Sequence, residues 1–118
     1  METCDDVPGE QPHGSWRIRM LEQLRGPDLL LASNALLSLT YHEDDRDWLQ
    51  TLLIDCVARG SDRQLRALSV TCMGHVARLD GVIRDDVLQL LRDLRSDPDL
   101  GGTAEDALDD VTSFADRR

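Results

Sequence analysis

The chain has 118 residues, a formal net charge of -10 and 41% hydrophobic residues, few of which are aromatic. This length predicts one domain with its own core, and the abundance of Leu and Ala favours packed helices over a β-sandwich. No apolar run approaches the length of a membrane span and the acidic N-terminus lacks the basic start of a signal peptide, so we expect a soluble, cytoplasmic protein with no membrane partner.

The hydrophobic spacing predicts a disordered acidic leader over residues 1–14 and a single helical domain of about six helices over residues 15–118. The first three helices are expected over 15–25, from the Gly26-Pro27-Asp28 break to residue 40, and from the acidic turn at 43–47 to Gly60. The fourth runs from a capping box at residues 61–64 to Gly81, the fifth spans 83–95, and Thr103 caps the last. No strand is expected, and the fold class is all-α.

Each helix has one apolar face that we expect to form the core. In the fourth helix this face includes Leu79, and in the last helix it includes Phe114. Trp48 begins the apolar stripe of the third helix, which favours a core position over an exposed anchor. His75 and Arg78 are expected to hydrogen-bond the acids of the last helix. The three cysteines (Cys4, Cys56 and Cys72) are widely spaced, which favours free thiols in a reducing compartment.

The breaks between helices recur along the chain. Gly26-Pro27-Asp28, Gly60-Ser61-Asp62 and Asp97-Pro98-Asp99 are separated by 34 and then 37 residues, and each precedes a helix. Two helices per unit of this length predict an α-solenoid, here two full helical hairpins with flanking helices.

Several strings make the chain recognisable. The segment 62–67 followed by Gly74 resembles a HEAT repeat. The strings at 71–78, 104–111, 39–42 and 48–50 resemble small bacterial HEAT-like immunity proteins of contact-dependent growth inhibition (CDI) and related polymorphic toxin systems, over about residues 27–115. The resemblance implies a protein that binds a cognate toxin domain and has no enzymatic activity of its own.

The negative charge is concentrated in three segments. Residues 1–14 have a net charge of -4, residues 43–47 of -3 and residues 96–118 of -5, whereas 15–42 and 48–95 each have +1. Such concentration predicts a basic protein partner and disfavours direct nucleic-acid binding, because a phosphate backbone would be repelled. Stacked hairpins would align the acidic turns along one edge, a shape suited to covering the basic cleft of a nuclease.

The acids also have a structural interpretation. Asp44, Asp45 and Asp47 would begin the third helix, and Asp85 and Asp86 the fifth, where acids satisfy free N–H groups. The acids of the last helix have no neighbouring base on that helix, which leaves a solvated face or a binding face as the alternatives. The residues that we expect to contact the partner are Tyr41, His42, Glu43, Asp44, Asp45, Asp47, Asp85, Asp86, Glu105, Asp106, Asp109 and Asp110.

Other chemistry finds little support in the residue pattern. No nucleophile–base pair or phosphate-binding loop accompanies the paired carboxylates, and Cys72 with His75 lacks two further zinc ligands. We therefore expect no catalytic residue, metal or cofactor. The favoured function is neutralisation of a cognate toxin, a basic nuclease, by occlusion in a one-to-one heterodimer; the alternative is a HEAT-like adaptor that docks a basic protein.

Overall fold

The computed structural model describes residues 12–117, and the side chains of residues 15–115. The helices of this part of the chain are α1 (Pro12–Arg25), α2 (Leu29–His42), α3 (Arg46–Arg59), α4 (Arg63–Asp80), α5 (Asp85–Leu94) and α6 (Gly101–Phe114). The all-α class is confirmed. Contrary to expectation, one short strand pairing is present, in which β1 (Val82–Ile83) lies parallel to β2 (Asp116–Arg117).

The helix starts differ in detail from those expected from the sequence. Helix α1 begins at Pro12, within the predicted leader, whose residues 1–11 lie outside the described part. Ile83 belongs to β1, so α5 begins only at Asp85. The expected Thr103 cap is wrong, since α6 already begins at Gly101, after Leu100.

Aspartates cap three of the helices. The carboxylates of Asp28, Asp45 and Asp62 accept hydrogen bonds from first-turn N–H groups of α2, α3 and α4 respectively. Each such cap contributes about 1 kcal/mol to stability. Asp45 therefore has the expected capping role, whereas Asp62, and not Ser61 of the predicted capping box, caps α4.

Two glycines end helices as expected. Gly60 follows α3, and Gly81 follows α4 with a φ of 72°. This left-handed conformation strains any residue with a Cβ, so Gly81 allows the chain to leave α4 and enter β1 directly.

The helices form consecutive hairpins in two layers. Helix α1 packs on α2, α3 on α4, and α5 on α6, while α2, α4 and α6 lie side by side. The smallest dimension of the molecule is 17 Å, which is the thickness of about two helices. This arrangement is compatible with the expected solenoid, and the HEAT assignment stays a prediction.

The core lies between the two layers. Its largest fully buried apolar side chains are Leu36, Leu39, Leu49, Leu53, Val70, Met73, Val76, Ile83, Val87, Leu91 and Leu100. Two residues predicted for the core lie instead at the surface, because Leu79 is 51% and Phe114 55% exposed. Each stands within the last two residues of its helix.

Candidate partner-binding surface

The acidic turn between α2 and α3 is organised by a buried carboxylate. The Glu43 side chain is 1% exposed, and its oxygens accept hydrogen bonds from Nε and Nη2 of Arg17 at 3.0 and 2.7 Å. The same carboxylate accepts a bond from the N–H of Asp45 at 2.9 Å. Glu43 raises the pKa of Arg17 through this hydrogen bond. Glu43 was predicted as a partner contact, but its burial makes it part of the support beneath the surface.

Arg17 also covers Trp48. Its guanidinium carbon lies 4.0 Å from the centroid of the Trp48 ring, within the range of a cation–π interaction. Trp48 is half-buried and packs against the core. It thus has the structural position favoured by the sequence, with one face occupied by Arg17.

Two arginines join this turn to the segment between α4 and α5. Nε of Arg46 lies 2.9 Å from the Asp80 carboxylate. Nη1 of Arg84 donates to the carbonyl of Asp47 at 2.8 Å, and Nε of Arg84 donates to Asp86 at 3.0 Å. The pair with Arg84 lowers the pKa of Asp86. The two acidic turns therefore share one edge of the molecule, as expected from stacked hairpins.

Two acids of α6 lie toward α5. Glu105 and Asp109 border a depression together with Arg92 of α5 and Arg95, the residue that follows α5. Asp110 is half-buried, and its position beside Gly74 directs it toward α4. The acids of α6 have no base on their own helix, as expected, but arginines from the end of α5 and the residue after it lie at the same depression.

Most of the predicted contact residues are nevertheless accessible. Exposed are Tyr41, His42, Asp44, Asp45, Asp47, Asp85, Asp86, Glu105, Asp106 and Asp109. At the edge formed by the two turns, Tyr41, His42 and Asp44 border a depression that also includes Leu79 and Asp80.

An aromatic contact lies at this depression. The rings of Tyr41 and His75 are 5.6 Å apart with an interplanar angle of 35°. Burial lowers the pKa of His75, the charge of Arg78 lowers it further, and Asp110 opposes both. His75 thus contacts Tyr41 of α2 through its ring and interacts with the charge of Asp110 of α6. Arg78, which was expected to hydrogen-bond the acids of α6 together with His75, is exposed.

Tyr41 was expected at the surface and is exposed, whereas Leu79 and Phe114 were expected in the core and are exposed as well. A helical repeat shows which side of a helix is apolar, and it does not show how far the neighbouring helix extends. Their position could have indicated exposure, since each lies within the last two residues of its helix.

The described residues contain no group of three or more His, Cys, Asp or Glu side chains placed to hold a metal ion. No helix within 12–117 is both long and apolar enough to span a membrane. The two cysteines with described surroundings are free thiols, and Cys72 is fully buried.

No family model matches the chain, and no curated protein matches it. A solved structure does. A chain in the crystal structure of a CDI complex from Cupriavidus taiwanensis LMG 19424 is 31% identical to it, with a TM-score of 0.70. The similarity covers 82% of this chain and 86% of that one. The chain belongs to the family of that CDI-complex component.

Proposed function

We propose that this chain is the immunity protein of a CDI system, which binds a cognate toxin domain and neutralises it. The observation that carries the proposal is the 31% identity, over most of both chains, to a component of a CDI complex. The resemblance of several sequence strings to CDI immunity proteins supports the same role.

The use of the charged groups favours the immunity role over the toxin role. Arg17 with Glu43 and Arg46 with Asp80 form ion pairs that connect separate segments, and Arg84 with Asp86 forms a local pair at the start of α5. Carboxylates engaged in this way hold the surface in shape. We therefore assign the chain a binding role and no catalytic residue.

Charge supports a basic toxin. The chain has a net charge of -10, and Asp47 and Asp85 are exposed on the edge where the two turns meet. Complementary charge accelerates encounter and orients the partner. We propose a nuclease as the toxin, occlusion of its substrate cleft as the mechanism, and a one-to-one complex in the cytoplasm on a HEAT-like scaffold.

The proposal is tested by co-expression. The toxin domain encoded by the adjacent gene is produced in a sensitive bacterium with this chain, with a non-cognate immunity protein, or alone. We expect growth only with this chain. Growth arrest in all three cultures would overturn the immunity role, and binding without protection would favour the adaptor function.

The contribution of charge is tested on purified proteins. Replacing Asp47 and Asp85 by Asn should lower the association rate constant for the toxin domain about tenfold at low salt, with less effect at high salt. The matched control replaces Glu22 by Gln and Asp93 by Asn. These two exposed acids lie near the C-terminal ends of α1 and α5. Equal rates for both double variants would contradict the charge assignment.

A further inference from the structure

Three exposed apolar side chains stand at corresponding places in the fold. Tyr41, Leu79 and Phe114 are 46%, 51% and 55% exposed. They lie at the C-terminal ends of α2, α4 and α6, the three helices that pack side by side. One layer of the molecule thus carries an apolar group at the end of each of its helices.

The first two of these groups form a continuous patch. Tyr41 contacts His75 through its ring, and His75 lies one helical turn before Leu79 on the same side of α4. Tyr41 and Leu79 border the same depression. We call Tyr41, His75 and Leu79 the aromatic patch.

Phe114 ends α6, next to the end of α4 that carries Leu79. It follows Asp110 by one turn, and Asp110 acts on His75 through its charge. The carbonyl of Phe114 lies 3.9 Å from the position that a Cβ on Gly81 would occupy, two residues beyond Leu79. The ends of α4 and α6 are therefore adjacent, and β1 and β2 hold them together.

The rim of the aromatic patch is charged, with acids in slight excess. Asp44, Asp80 and Arg46 border the same depression as Tyr41 and Leu79, and Arg46 pairs with Asp80. On the α6 side, Asp110 and Arg78 both act on His75 through their charges. Exposed apolar groups within a polar rim are typical of protein interaction sites, and Tyr is enriched among the residues that dominate binding energy.

Ion pairs hold the segments beneath the aromatic patch. The turn that follows Tyr41 is held by the buried carboxylate of Glu43, and Arg46 connects that turn to Asp80, the residue after Leu79. A surface held in its binding shape loses less conformational entropy when a partner binds.

We propose that the aromatic patch, with Phe114 at its edge, is the anchor site for the toxin domain. The complementary toxin surface presents an apolar or aromatic side chain flanked by Lys or Arg. The apolar group covers Tyr41 and Leu79, and the basic groups face the acids of the rim. This inference rests on the proposed immunity function and assigns that function to a particular surface.

The test compares two substitutions of matched exposure and charge. Leu79→Arg places a base in the aromatic patch, whereas Ile18→Arg places one on α1, where Ile18 is 57% exposed. Binding of each variant to the purified toxin domain of the adjacent gene is measured by biolayer interferometry, with thermal unfolding as a check of the fold. We expect Leu79→Arg to raise Kd at least about 100-fold and Ile18→Arg to leave it within about twofold.

Two further variants complete the test. Leu79→Met, which keeps an apolar group, should bind as the wild type does, and Phe114→Ala should weaken binding about tenfold or more. If the wild type binds the toxin domain and Leu79→Arg binds it with the same affinity, the anchor site is overturned and the immunity function stands. Failure of the wild-type chain to bind the toxin domain would instead overturn the immunity function.

Discussion

The guanidinium of Arg17 binds the carboxylate of Glu43 through two hydrogen bonds, although the two residues are 26 positions apart in the sequence. The pair connects α1 to the turn between α2 and α3. Because Glu43 is almost fully buried, its charge requires this partner. The most acidic turn of the chain thus contains a buried acid, Glu43, that stabilises the turn from inside the fold.

Replacing Glu43 by Gln should lower the free energy of unfolding by about 2 kcal/mol, because a charge-assisted bidentate interaction is lost from a buried site. Urea denaturation followed by circular dichroism measures the change. Asp106→Asn removes the same charge from an exposed position of α6 and is expected to leave stability nearly unchanged. Equal stability of both variants would mean that the Arg17–Glu43 pair contributes nothing.

Gly74 allows α4 and α6 to approach closely. A Cβ at this position would lie 2.8 Å from an Asp110 carboxylate oxygen and 3.2 Å from the Cα of Ala107. Gly74→Ala should therefore destabilise the fold by about 1 kcal/mol or more, since overpacking outweighs the better helix propensity of Ala. Gly102→Ala, where no atom lies within 4 Å, is expected to be neutral or stabilising. Thermal unfolding that ranks the two variants in the opposite order would contradict this packing.

Cys72 should be chemically inert in the folded protein. Burial raises the pKa of its thiol to about 11, which leaves little reactive thiolate at pH 8. Alkylation by iodoacetamide, mapped by mass spectrometry, should label Cys72 at least about 100-fold more slowly than in urea. Rapid labelling of Cys72 without denaturant would show that α4 opens readily or that the thiol is not buried.

The protonation of His75 should oppose folding. Its pKa is lowered from the ordinary value of 6.5, chiefly by burial, within a site formed with Tyr41, Arg78 and Asp110. As the pH falls below 6.5, the unfolded chain takes up this proton before the folded chain does, so the contribution of His75 to stability decreases.

The direction of this pH dependence of stability is checked with the variant His75→Gln. Between pH 7.5 and pH 5.5 the wild type should lose more stability than this variant, and the histidine resonance of the folded protein should titrate below 6.5. A midpoint above 6.5 would reverse the assignment and give Asp110 the dominant effect.

The helices could be predicted because their signals are local. Asp28 and Asp62 begin α2 and α4, and Gly60 and Gly81 end α3 and α4, through hydrogen bonds and dihedral angles set within a few residues. The recurring breaks likewise mark the start of helices that share one layer. These features depend on short-range chemistry, which the sequence displays directly.

The surface could be predicted only in part because it depends on contacts between distant segments. Glu43 resembles its acidic neighbours in the sequence, and only Arg17 in another helix distinguishes it. The acids of α6 lack a base on their own helix, but Arg92 of α5 and Arg95, just after α5, border the same depression as two of them. Leu79 continues the apolar face of α4 yet is exposed at its end, and helical periodicity does not encode which residues of an apolar face are covered.

The most direct test of the immunity function is an isothermal titration of the purified chain with the toxin domain of the adjacent gene. We expect saturation at one equivalent with a Kd of ~10 nM or tighter, equivalent to a binding free energy of about -11 kcal/mol. Absence of binding at micromolar concentrations, with both proteins folded, would contradict the immunity function.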